Sequence, residues 1–483
     1  MYVFCDVRRL LAQLKLRNSI YLLIIWLCGY LLINLWPNMA QAYSLLQPAL
    51  TSVGGHTLSF APGINYAVGL HPAAIAVGDV NGDGHLDIIV ANDLDRSVMV
   101  LRNRGDGTFA AAVTYMLNSH PSSLVISDLN RDGHPDIVVA NGLEDSITVL
   151  RNKGDGTFAV GMTYAVGDAP NALAVGDVNR DGYPDIVTAN GLDNSVTVLL
   201  NKGDGTFAKG TNYTVGLFPT AVALGDVHKD GHLDIVTANS DDHSVTLLRN
   251  QGDGTFGPGT TYAVGLRPSS VAVSDLNGDG QPDIITANLL DDNVTVLHNK
   301  GNSTFMAGTT YAVGAFPRSM ALNDLNRDGY PDIVTANKTA NSITILLNQG
   351  DGTFAAGITY RVGVFPKGLA VGDVNGDGYP DIITLNYLSH NVTVLLSNSF
   401  TSTSTRITMR SPAPQPSPTS TRKHKQQSQI GNNPPFSPSK VGERHQRICG
   451  DRWWNRDLCW CHFLCRPRFR LLRNKNDTYI SIK

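Results

Sequence analysis

No cysteine occurs between Tyr43 and Asn398. All six, Cys5, Cys28, Cys449, Cys459, Cys461 and Cys465, stand in the flanks, so no disulfide holds the central stretch and cysteine usage does not reveal its compartment. That stretch also has no run with helical spacing of apolar residues, which argues against helices. It is short of positive charge: 36 Asp and Glu stand against 18 Lys and Arg, while the flanks hold 5 acids against 20 bases. Such an acidic domain is a poor partner for nucleic acid, whose phosphates need Lys and Arg. No nucleophile–base pair, zinc triad or phosphate loop is found, so an enzyme is not expected.

What the stretch does have is repetition. Asp79-Val80-Asn81-Gly82-Asp83-Gly84-His85-Leu86-Asp87 returns in nine-residue segments led by Asp128, Asp177, Asp226, Asp275, Asp324 and Asp373, always 49 residues on. Oxygen-bearing side chains fall at positions 1, 3, 5 and 9, with Gly at position 6. A loop of this kind wraps a hard cation: alternate residues point inward, the glycine permits the sharp turn, and the position 7 carbonyl can add an oxygen. We therefore expect about seven Ca²⁺ sites, one per repeat.

The candidate ligands, position 7 included for its carbonyl, are Asp79, Asn81, Asp83, His85 and Asp87 in the first copy. In the second they are Asp128, Asn130, Asp132, His134 and Asp136, and in the third Asp177, Asn179, Asp181, Tyr183 and Asp185. The fourth has Asp226, His228, Asp230, His232 and Asp234; the fifth has Asp275, Asn277, Asp279, Gln281 and Asp283. The sixth has Asp324, Asn326, Asp328, Tyr330 and Asp332, and the seventh Asp373, Asn375, Asp377, Tyr379 and Asp381. His228 replaces the usual Asn, and a neutral imidazole is a poor calcium ligand, so the fourth site is expected to be weaker or to use water. Val90 stands where an EF-hand would place its Glu, and no helix flanks the loops, so these are not EF-hands. A structural role is expected, with ion binding in the folded state coupled to stability.

Each repeat carries four short apolar segments rich in Val, Ile, Thr and Tyr and bounded by Gly, Asp, Asn and Pro, which read as strands. In the third copy they are Ala172–Val175, Asp185–Asn190, Ser195–Leu200, and a last segment carrying Phe207 and then Tyr213–Val215. Gly203-Asp204-Gly205-Thr206 joins the third and fourth as a tight turn. A proline, from Pro72 to Pro366, marks every passage to the next unit, and the Asn ending the second strand (Asn92 to Asn386) is expected to satisfy turn backbone. Four strands per unit make the blade of an all-β, seven-bladed β-propeller. The last copy ends at Leu396 without its own Phe, while Phe60 lies 49 residues before Phe109. The N-terminal strand should therefore complete the last blade and close the ring.

The loop after a small apolar strand, repeated with glycine-rich turns, resembles FG-GAP and VCBS repeat proteins, the N-terminal propeller of integrin α chains and certain calcium-containing fungal lectins. The resemblance spans roughly Leu58 to Leu396 and implies calcium between the first and second strands of every blade. It implies an extracellular adhesion or recognition module for protein or carbohydrate; a lectin binding sugars between blades and an accessory domain of a secreted enzyme are the alternatives. Arg104-Gly105-Asp106 spells an integrin-recognition tripeptide, but the same turn reads Lys-Gly-Asp at Lys153 and Lys202, so the arginine is taken as incidental.

Residues 1–42 are read as a signal peptide, with Arg8, Arg9, Lys15 and Arg17 before the apolar run Ile20–Trp36 and Ala40-Gln41-Ala42 as cleavage site. An uncleaved anchor is the alternative, and either places residues 58–398 outside the cytoplasm. Residues 399–448 read as a Ser/Thr/Pro-rich disordered linker and 449–483 as an unstructured basic tail. Asn212, Asn293, Asn302, Asn337 and Asn391 begin glycosylation sequons. A monomer is expected, with ligands on the face opposite the acidic loops. There the second-to-third and fourth-to-first connections vary: Asp93–Arg96, Ser240–His243, Tyr387–His390, and His71, Arg267, Phe316 and Phe365 beside the prolines.

Overall fold

The computed structural model describes residues 58–398 except Val160, Asn302 and Ser303. The expected leader, linker and tail lie outside the described residues. Seven four-stranded antiparallel sheets follow one another, and six of them take their strands in simple chain order. The seventh takes Ile64–Ala67 as its outer strand beside Asn391–Leu395, which closes the ring as expected. Phe60 adds a bridge to Ser397.

Within a blade the burial pattern follows the residue chemistry. The second strand, such as Asp185–Asn190, is buried throughout, and its Ile, Val and Ala meet neighbouring blades on both faces. The outer strand, such as Thr211–Thr214, buries little more than its tyrosine. The inner strand starts earlier than its apolar run suggests, at the proline: Pro170–Gly176 pairs Pro170 with Asn190 across a bulge. Proline is tolerated there because it is the first residue of the strand and needs no ladder donor. Phe207 likewise lies outside the outer strand, in an isolated bridge to Asn201. It turns inward to the junction, which the exposed outer strand cannot do.

There is no single core. Apolar clusters sit between adjacent blades, one of them joining Val80, Ile89 and Val98 to Leu124, Ile137 and Phe158. Every junction also has one edge-to-face aromatic pair, for example Tyr164–Phe207 at 5.3 Å and Tyr213–Phe256 at 5.4 Å. A polar bond adds to every junction except that of blades six and seven: the Asn after the third strand reaches back to the preceding blade. Asn152 Nδ2 donates to Val80 O (2.8 Å), Asn201 Nδ2 to Leu129 O (2.8 Å), and Asn103 Nδ2 to Val374 O (2.7 Å), joining the first blade to the seventh. The acceptor is always position 2 of the neighbour's acidic loop, so six of the seven loops are clamped by the next blade, the sixth blade's loop being the exception because Ser397 replaces the Asn.

Candidate functional site

The acidic loops gather on one face, between the first and second strands of each blade. Position 1 is spent largely on the loop's own backbone: Asp79 accepts from the N–H of Gly82 (2.7 Å) and Gly84 (2.8 Å). Position 6 is glycine because the chain there has a left-handed φ, 86° at Gly84. Asn81 Nδ2 donates to Asp83 Oδ2 (2.9 Å), and Asp83 Oδ1 accepts from His85 N (2.9 Å). Position 9 is fully buried: Asp87 accepts from Asn103 N at 2.8 Å and Val80 N at 3.3 Å. Among the described residues, no three His, Cys, Asp or Glu side chains converge as a metal cluster by themselves. Asn and backbone oxygens belong to the donor set, and an all-oxygen set of this kind could hold a hard divalent cation.

Position 7 side chains lie elsewhere. His85, His134, Tyr183, His232 and Tyr330 each cover the first glycine of the third-to-fourth turn in their own blade, and a methyl group added at Gly105 would come within 2.7 Å of His85 Nε2. Only their backbone carbonyls remain available to an ion. Asp106 of the Arg-Gly-Asp turn accepts from Thr108 N (2.9 Å) and Thr108 Oγ1 (2.6 Å), as Asp155, Asp204, Asp253 and Asp351 do with their own threonines. It is a turn-former in five blades, which accounts for the tripeptide.

The seven buried aspartates are not equivalent, a difference missed in the sequence for the second and fifth blades because there it depends on a residue 15 positions further along. Arg151 Nη1 donates to Asp136 Oδ2 (3.3 Å), and His298 Nδ1 lies 3.2 Å from Asp283 Oδ2. In the fourth blade His228 folds onto its own loop, with Nδ1 2.7 Å from Asp234 Oδ2. Leu200, Leu347 and Leu396 take the equivalent place in the third, sixth and seventh blades. Burial there pushes Asp185 and Asp381 up to about 6 and Asp332 up to about 7. Burial also raises Asp87, Asp136 and Asp234, against the pull of hydrogen bonds and of Arg151 and His228.

The opposite face is built partly of fixed structure. Asp95 Oδ2 accepts from Leu70 N (2.7 Å), Asp193 Oδ2 from Asp168 N (2.8 Å), and Asp242 Oδ2 from Leu217 N (2.6 Å). These acids tie the second-to-third turn to the fourth-to-first connection and are not free for a ligand. The recurrent Asn is also re-read: its amide serves side chains rather than turn backbone. Asn190 Nδ2 donates to Ser195 Oγ (3.1 Å) and Thr197 Oγ1 (2.8 Å), and its Oδ1 accepts from Thr188 Oγ1 (2.8 Å). At the sequons, Asn337 is fully buried in such a network, which leaves no room for a glycan. Asn212 is exposed, and Asn302 lies outside the described residues.

What varies on this face is concentrated in blades six, seven and one. His71 stacks on Tyr387 (4.6 Å), Lys338 lies over Phe365 (4.2 Å) and Lys367 near Tyr387 (5.3 Å). His71, Phe316 and Phe365 hold left-handed backbone at φ 52°, 59° and 63°, but Ala169, Phe218 and Arg267 do the same at the equivalent place in other blades, so this conformation belongs to the connection itself.

The FG-GAP-like repeat model matches residues 79–139, 128–188, 177–237, 226–286, 275–335 and 324–384, each match running from one acidic loop past the next. The chain belongs to the FG-GAP-like repeat family. No curated protein matches this FG-GAP chain in sequence. Solved structures share the fold at low identity. BBS1N in complex with ARL6DN is similar at 13% identity and TM-score 0.53, over 70% of this chain and 96% of that one. Virginiamycin B lyase from Staphylococcus aureus is similar at 13% identity and TM-score 0.51, over 70% and 99%. An Agrocybe aegerita lectin that recognises non-reducing terminal N-acetylglucosamine aligns at 20% identity and TM-score 0.46, over 64% and 91%. At these identities the likeness shows the fold alone. The structures that share the fold include one solved in complex with a protein partner and one enzyme.

Proposed function

We propose that this FG-GAP propeller is an extracellular recognition module, stabilised by calcium in its acidic loops and engaging protein or carbohydrate through the opposite face. The observation that carries the reading is the contrast between faces. One repeats the same oxygen set in six of its seven copies, with His228 the single departure, and the other concentrates different aromatic and basic side chains in blades six, seven and one. Positions 1, 3, 5 and 9 with the position 7 carbonyl would hold the ion, which supplies positive charge to buried carboxylates that otherwise favour a proton. No step of bond making is assigned to the protein. The test is retention of the full chain on immobilised glycans and extracellular proteins with calcium and with chelator. Saturable, calcium-dependent capture that is lost on changing Phe365 and Tyr387 to Ala supports the reading, and capture indifferent to both contradicts it.

A lectin that binds sugars between blades is the second reading. A cavity of about 470 Å³ opens between the first and second blades, lined by Tyr115, Asn118, Asn141, Glu144 and Thr148. Capture reversed by soluble sugar and lost in Asn118→Ala, with Phe365 and Tyr387 intact, would favour it.

A further inference from the structure

The residue after each blade proline lines the central channel, and around the ring these residues are Ala73, Ser122, Asn171, Thr220, Ser269, Arg318 and Lys367. In blades two to five the side chain donates to the proline carbonyl of the next blade. Ser122 Oγ donates to Pro170 O at 2.5 Å, Asn171 Nδ2 to Pro219 O at 3.1 Å, Thr220 Oγ1 to Pro268 O at 2.8 Å, and Ser269 Oγ to Pro317 O at 2.7 Å. The relay stops at blade six, where two cations on neighbouring inner strands replace the short polar groups.

Arg318 and Lys367 have no carboxylate partner among the described residues. The nearby acid, Asp93, is engaged by His120 Nδ1 at 3.0 Å. Placing two like charges together in a confined channel costs free energy, against which the fold sets the ring of Tyr387 beside Lys367 and the charge of Asp93. The cost is plain in a domain with twice as many acids as bases. Burial and the neighbouring Arg318 push Lys367 down to about 8, the direction that an unpaired, crowded ammonium must take. A negative ligand group would remove the penalty.

The rest of the channel narrows the ligand class. The hydroxyls of Ser122, Thr220 and Ser269 spend their one proton on proline carbonyls, so their oxygens remain as acceptors, and the amide oxygen of Asn171 adds a fourth. A ligand that satisfies the site carries hydroxyl donors as well as an anionic group. The cavity of about 280 Å³ has room for one small residue and not for a folded chain. Tyr387 and Phe365 stand at the rim on the same side.

We propose that the channel mouth between blades six and seven binds an acidic sugar residue, with Arg318 and Lys367 on its carboxylate or sulfate and the blade two to five oxygens on its hydroxyls. This rests on the recognition reading and names the ligand class for that face.

The test is calorimetric titration of the calcium-loaded full chain with D-glucuronate, glucose 6-sulfate and glucose. Both acidic sugars should bind at least tenfold more tightly than glucose, and the better of the two identifies the group taken. Arg318→Ser with Lys367→Ser restores the serine found in blades two and five, so folding should persist, checked by an unchanged melting temperature. That variant should lose at least tenfold for the acidic sugars, while Lys202→Ser on the opposite face loses nothing. Equal binding of glucose and glucuronate, an undiminished double variant, or N-acetylaspartate binding as well as glucuronate would each overturn the proposal. If the double variant binds acidic sugars unchanged but Phe365→Ala still abolishes capture on arrays, the channel site falls and the recognition reading stands. Loss of array capture in neither variant sinks both.

Discussion

The rings of Tyr66 and Phe109 meet edge to face with centroids 5.2 Å apart at 80°, and Phe60 meets Tyr360 in the same way at 5.2 Å and 81°. The N-terminal segment thus supplies both aromatic members that the seventh blade would otherwise lack. Such pairs contribute about 0.5–1.5 kcal/mol beyond their buried area. A double-mutant cycle on Tyr66→Leu and Phe109→Leu should show coupling of that size by urea denaturation. Deleting residues 58–67 should cost far more, because it bares the edge of Asn391–Leu395, and sedimentation should show the truncated protein associating.

Asn201→Ala should destabilise by about 1–3 kcal/mol, since Leu129 O and Pro184 O lose their donor in a buried place. A change within 0.5 kcal/mol would show that the clamp between blades is not needed.

Gly216 has no left-handed φ, so its need for a bare Cα is steric: an added Cβ would sit 2.6 Å from Asn239 Nδ2. Gly216→Ala should cost about 1–3 kcal/mol by overpacking. The cost should shrink in part when Asn239 is also Ala, because the two changes share that contact while Asp242 Oδ2, 2.7 Å from the added Cβ, remains. Simple additivity would place the strain elsewhere.

Repeat length, strand content and closure were legible because a 49-residue period carries the same punctuation in every copy. Phe60 could be paired with blade seven by counting alone. The clamp made by Asn103, Asn152 and Asn201 was not legible, since an Asn before a Gly-Asp-Gly turn reads as local turn chemistry until its neighbour's carbonyl is placed beside it. Arg318 and Lys367 were not singled out, because a base after a proline carries no signal in the sequence. Only the position of the inner strand, starting at the proline itself, turns them into the channel. The acids of the variable turns misled for the opposite reason: Asp95 and Asp242 resemble surface binding groups yet hold backbone N–H groups.

With calcium chelated, stability should fall as pH rises from about 4 to about 7. Asp185 and Asp381 at about 6 and Asp332 at about 7 bind protons more tightly folded than unfolded, so the folded state holds more protons across that window. His298, raised chiefly by its bond to Asp283, acts in the same direction: its contribution is present below about 6.5 and is lost as pH rises through its folded value. Adding calcium should reverse the slope, because the ion requires the ionised carboxylates. Melting curves at several pH values with and without chelator check the sign, and a rise with pH in chelator would contradict it.

The central claim is that the acidic loops are structural cation sites, and counting bound calcium on the full chain while recording its melting temperature tests it most directly. At tenfold excess over a millimolar dissociation constant each occupied loop should add about 1.4 kcal/mol. The account predicts close to seven ions and a large rise in melting temperature that chelator abolishes, with the fourth loop, where His228 holds Asp234, filling last. No bound ion and an unchanged melting temperature would contradict it.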